Sequence, residues 1–181
     1  MNNSEYSRYF QKWIDTFSDD VHFIIKILSE DSASEKLKRL AVGALNYGLK
    51  QLDLIPDFYT PVGLIDDAFI LRIFAKIALY EINNLKNEKL KQQLEKLADD
   101  SVIEDFAGEK LYRVLVNYVK ALPDEKVRQR NAKIILSDPE IQKSFIEDLN
   151  NDLIGYKGAT IENPDEVCKD LKSFLKMKLI G

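Results

Sequence analysis

The chain has 181 residues, 45% hydrophobic and 31% charged, with 26 Lys and Arg against 30 Asp and Glu for a formal charge of −4. That composition excludes a disordered chain and supplies one sizeable core. Basic and acidic residues number 9 and 11 over 1–80 and 17 and 19 over 81–181, which excludes the basic footprint of a general nucleic-acid binder.

With one cysteine and one histidine, Cys168 and His22, neither an internal disulfide nor a Cys/His zinc set can form. Cys168 reads as a small apolar side chain, and His22 as a partly buried structural imidazole. The start, MNNSEYSRYF, lacks the basic and apolar regions of a signal peptide. The best candidate for a spanning helix, Gly63–Tyr80, carries Asp66, Asp67, Arg72 and Lys76, so no transmembrane segment is expected and the expected location is the cytoplasm.

Tyr6, Tyr9, Phe10, Trp13 and Phe17 recur at three or four residues, which predicts a first helix with an inward aromatic stripe. Ser18-Asp-Asp20 suits a fresh helix start, with Val21, Ile24, Ile25 and Leu28 inward. Ser32-Ala-Ser-Glu35 reads as a capping box opening a helix to about Lys50, whose Ala41, Ala44 and Gly48 permit close approach of a neighbour. From Ile65 to Leu79 apolar residues cover nearly every direction around a helix, the mark of a central one buried on several sides.

A polar bend at 83–87 precedes a thin Leu90, Leu94, Leu97 stripe. Ser101-Val-Ile-Glu104 reads as a second capping box, opening a helix that Pro123 ends. Val127 to Ile135 suggests a short helix, with Lys126, Arg128, Arg130 and Lys133 as a solvated face. Ser137-Asp-Pro-Glu140 starts another helix, and Asn163-Pro-Asp-Glu166 starts the last, after a loop at 155–163. The expected fold is all-α: one domain over 1–181, a bundle of about eight helices around a buried central helix at about 64–82.

The most particular stretch is Leu52–Asp67, LDLIPDFYTPVGLIDD. Its carboxylates, Asp53, Asp57, Asp66 and Asp67, admit two readings. As ligands for a hard cation, Mg²⁺ or Ca²⁺, they would point to metal binding or metal-assisted hydrolysis. As structural groups they would cap helix ends and pair with Arg72 or Lys76, or with Lys36 and Arg39 of the preceding helix, while Thr60-Pro61 starts the next one. The structural reading is preferred, because the stretch has no His/carboxylate set and no Gly-rich phosphate loop.

In order and spacing, Asp53-Leu-Ile-Pro-Asp57-Phe58, Pro61, Gly63 and Asp66-Asp67 resemble the hallmark of the YkvA-like domain, a bacterial family of unknown function. The resemblance covers 34–79, with Lys50-Gln51 where that family usually has Ser-Pro. It implies a compact helical hairpin and no established reaction; residues 1–33 and 81–181 would flank it as further helices. The leading functional expectation is a non-enzymatic scaffold or interaction module, with a protein partner or a second copy as the ligand and no nucleic acid. The metal-dependent reading stands beside it. A third is peripheral attachment to a membrane surface through Leu37–Leu52, with Lys36, Arg39 and Lys50 opposite its apolar side.

Overall fold

The computed structural model describes residues 1–50, 54–56, 59–99, 101–156 and 158–181. These residues form an all-α bundle with one continuous hydrophobic core. Its helices are α1 (Asn3–Leu28), α2 (Glu35–Tyr47), α3 (Val62–Ala78), α4 (Glu88–Leu97), α5 (Ser101–Ala107), α6 (Glu109–Ala121), α7 (Ala132–Ser137), α8 (Pro139–Gly155) and α9 (Pro164–Leu179). Among the described residues no helix is long and apolar enough to cross a membrane.

The central helix is α3, as its pattern requires. Every residue of it except Lys76 and Ile77 is buried, and it packs against α1, α2, α4, α6 and α9. Burial from all sides removes the need for an amphipathic stripe. It starts at Val62, with Pro61 at the cap position after a cis Thr60-Pro61 bond. The proline therefore precedes the first helical residue, where the sequence suggested it would be that residue.

Expected and observed boundaries differ in three places. No helix begins at Ser18, because α1 runs unbroken from Asn3 to Leu28. The stripe Phe10, Trp13, Ile14, Phe17, Val21, Ile24 keeps its helical spacing across Ser18 and is buried throughout. A continuous apolar face outweighs one local cap signal. The cap of α1 is Asn2, which accepts the Glu5 N–H at 3.0 Å while the Glu5 carboxylate accepts the Asn2 N–H at 2.7 Å.

The cap of α2 is Ser34, whose hydroxyl accepts the Leu37 N–H at 3.1 Å. Ser32 instead ties two turns together. Its hydroxyl donates to Glu30 and accepts the Lys86 N–H at 3.0 Å. The helix expected from Ser101 to Pro123 is two helices: Gly108, at φ 78° in the left-handed region, separates α5 from α6. Ser101 is already helical, and its hydroxyl donates to Asp99 at 2.8 Å.

Some inward assignments also change. His22 is exposed, because it sits one residue off the buried stripe, and Tyr9 is 42% exposed beside Trp13. Cys168 is buried with its sulfur toward the Asn3 carbonyl, and burial pushes its thiol up to about 11. In α2 every residue from Leu40 to Tyr47 is buried. It is therefore not the exposed amphipathic helix that membrane attachment through Leu37–Leu52 requires. Lys36 and Arg39 pair with Glu81 and Asp124, at 2.6 and 2.7 Å.

The N-terminus is closed by Tyr6, whose hydroxyl donates to Asp105 at 2.6 Å alongside the terminal amine. Burial and then Asp105 push the phenol up to about 12, while the Tyr6 hydrogen bond holds Asp105 below its usual range. The Asp105 contribution is present above the pKa of an unfolded aspartate, about 3.9, and fades as pH falls below it. The Tyr6 contribution is present below about 10 and is lost as pH rises through its folded value. Tyr6→Phe is expected to flatten both limbs of a stability–pH curve measured by urea unfolding.

Candidate functional site

The motif sits at the α2–α3 corner. Asp53 and Asp57 lie outside the described residues, so the structure speaks for Asp66 and Asp67. Both are buried, at 1% and 6% exposure, and they point in different directions as consecutive helical residues must.

Asp66 turns back to α2, where its Oδ2 accepts the Tyr47 hydroxyl at 2.5 Å. The same hydroxyl accepts the Leu54 N–H at 3.1 Å. One phenol thus joins the end of α2, the following turn and the first turns of α3. Tyr47→Phe removes a partner from a buried carboxylate and from a buried amide together. It is expected to cost about 2 kcal/mol, since each loss is worth roughly 1–3 kcal/mol, and urea unfolding followed by circular dichroism reads it.

Arg72 is 4% exposed. Its Nη1 donates to the Ala68 carbonyl at 3.1 Å and its Nη2 to Asp20 of α1 at 3.0 Å, with the guanidinium 4.6 Å from the Trp13 ring centre. Among the described residues its ion pair is therefore with Asp20 of α1. Lys76 is exposed. Among the described residues no group of three or more His, Cys, Asp or Glu side chains could hold a metal ion.

Asp67 lines a cavity of about 540 Å³ between α1, α2, α3 and the C-terminal end of α8. Its walls are largely apolar, with Val21, Leu45, Leu64, Leu71, Leu149 and Leu153 among them. Three aromatic rings join them: Phe17 from α1, Tyr47 from α2 and Tyr156 at the end of α8. Phe17 and Tyr156 stack with ring centres 5.1 Å apart, and the Tyr156 hydroxyl donates to the Ile14 carbonyl at 3.0 Å. Burial, and then the charge of Asp67, drive the Tyr156 phenol upward.

The cations of the lining are held in ion pairs. Lys50 pairs with Glu125 at 2.9 Å. Arg128 pairs with Asp152 at 2.9 Å and reaches Asp148 at 3.9 Å, and Arg130 also holds Asp148. Arg128 and Gln129 have φ of 48° and 67°, so a tight left-handed turn between Val127 and Arg130 aims Arg128 at α8. The basic run of 126–133 is thus half committed to α8.

Sequence reasoning did not find Tyr47, Asp20 or Tyr156. Tyr47 sits at the end of α2, just ahead of the motif, and Asp20 was assigned to a helix start that does not exist. Tyr156 follows α8 directly, in the expected loop. A model of the family described as a protein of unknown function (DUF1232) matches residues 37–73. The match lies inside 34–79 and is compatible with the resemblance there. Curated proteins and solved structures give no match.

Proposed function

We propose that this protein is a non-enzymatic helical module that acts by binding, and that its binding site is the cavity beside Asp67. The observation that carries this reading is the cavity itself. Its volume of about 540 Å³ falls within the range of roughly 300–1,000 Å³ usual for small-molecule sites, and its mostly apolar wall with a few polar groups has their composition. The reading narrows the expected interaction module to a ligand whose body is apolar.

Chemistry in place of binding lacks support. Among the described lining residues there is no Ser, Thr, Cys or His, so they hold no Ser–His or Cys–His pair. The hydroxyls that do line it are engaged: Tyr47 with Asp66 and Leu54, Tyr156 with Ile14.

Gly48 offers a way to plug the cavity. It is exposed, lines the cavity and has helical φ, and among the described residues an added Cβ would meet the Leu45 carbonyl at an ordinary 3.7 Å. Gly48→Ala is expected to raise stability by about 0.4–1 kcal/mol by restricting the unfolded chain. Gly48→Phe should occupy the cavity. The neutral fluorophore N-phenyl-1-naphthylamine is expected to bind the wild type and Gly48→Ala with one-to-one stoichiometry and to lose affinity for Gly48→Phe. Equal binding to the Phe and Ala variants, or none to the wild type, would overturn the reading.

A further inference from the structure

The cavity wall has a polarity that narrows the ligand beyond its apolar body. Of its two described acidic members, Asp152 is paired with Arg128, while Asp67 is 6% exposed and enters from α3. Around the same space stand the rings of Phe17, Tyr47 and Tyr156, contributed by three other segments of the chain. A carboxylate combined with several aromatic rings is the chemistry that recognises an ammonium ion, since the face of a ring attracts a cation and apolar surroundings strengthen the attraction. A carboxylate has about four lone-pair sites, so a cation can take one of them alongside the interactions the group already makes.

The opposite polarity fits poorly. An anionic head would seek Lys50 and Arg128, and each is in an ion pair with Glu125 or Asp152 at 2.9 Å. It would have to break one of those pairs and then lie near the buried charge of Asp67. A neutral ligand would gain the apolar wall alone.

We infer that the cavity takes a ligand with an ammonium group, protonated or quaternary, on an apolar body, the cation lying against Asp67 and the rings of Phe17, Tyr47 and Tyr156. This rests on the proposed binding function of the cavity.

The test is calorimetric titration of the full chain with three probes of equal tail length below their micelle concentrations: octyltrimethylammonium, octanoate and 1-octanol. Octyltrimethylammonium is expected to bind one-to-one and tightest. Asp67→Asn should weaken it by about tenfold or more while leaving 1-octanol unchanged. Phe17→Leu, which keeps the wall apolar, should weaken the ammonium probe more than the alcohol. It serves in place of Asp67→Asn if that variant melts below the working temperature.

Octanoate or 1-octanol binding as tightly as the ammonium overturns the inference and leaves the binding function standing. So does ammonium binding that is indifferent to the Asp67→Asn substitution, or to Phe17→Leu where that variant replaces it. If none of the three probes binds, both readings fall.

Discussion

Asp20→Ala is expected to lower stability by about 3–5 kcal/mol, the loss typical when one partner of a buried ion pair is removed. The group left behind is the Arg72 guanidinium, 4% exposed and fixed between the Ala68 carbonyl and the Trp13 ring. It cannot shed its charge near neutral pH. Burial lowers it only to about 10, and Asp20 opposes that fall. Arg72→Met should cost less, about 1–2 kcal/mol, because the Asp20 side chain keeps 18% of its exposure and Thr16 still donates to it. The asymmetry is the test: urea unfolding of both variants should rank Asp20→Ala as the weaker protein. Equal losses would mean that the packing of the arginine stem and its stacking on Trp13 dominate over its charge.

The pH dependence of the pair has a definite sign. Burial raises the Asp20 carboxyl above its ordinary value, even against the lowering effect of Arg72. A raised folded pKa means that its contribution is fully present below the unfolded value and is lost as pH rises through the folded one. Acid unfolding should therefore not originate at this pair. Asp20→Asn should leave the acid limb of the stability curve in place.

Gly43→Ala is expected to cost about 3 kcal/mol, at the upper end of overpacking losses, from the addition of one methyl group. A Cβ on Gly43 would lie 2.7 Å from the Pro123 nitrogen, 2.8 Å from its Cδ and 3.0 Å from the Leu122 carbonyl carbon. Those atoms belong to the turn Leu122–Asp124 that ends α6, so no flexible side-chain end can move aside. In a chain of this length each kcal/mol shifts the melting temperature by about 2–4 °C, and a drop near 10 °C by calorimetry would match. The contrast with Gly48→Ala, five residues on in the same segment, makes the point internal to one helix. A melting temperature unchanged by Gly43→Ala would show that α2 can slide on the turn.

Much of the fold was legible because it depends on local rules and on one periodicity. The all-round apolar pattern of 65–79 identified α3 as central without any knowledge of its neighbours, since only burial on several sides accommodates it. Asn163 and Pro164 placed the start of α9, where Asn163 accepts the Glu166 N–H. Where the sequence misled, two local signals competed. Ser18-Asp-Asp20 carries the chemistry of a helix start, yet the stripe through Phe17 and Val21 gains more from staying continuous. Ser32 and Ser34 are equally good caps in isolation, and the partner of Ser32 across the turn at Lys86 separates them.

The site was legible only in outline. Composition and motif marked the stretch and its acids, but not the Tyr47 hydroxyl that donates to Asp66. The destination of Arg72, taken by spacing to serve its own helix, was settled by which helix crosses over it, and α1 brings Asp20 there. The cavity joins residues more than eighty positions apart, Phe17 with Tyr156 and Asp67 with Leu153. Spacing along one helix cannot encode such a meeting. It arises from the way the end of α8 faces α1, α2 and α3 across the cavity, a relation that exists only in the folded chain.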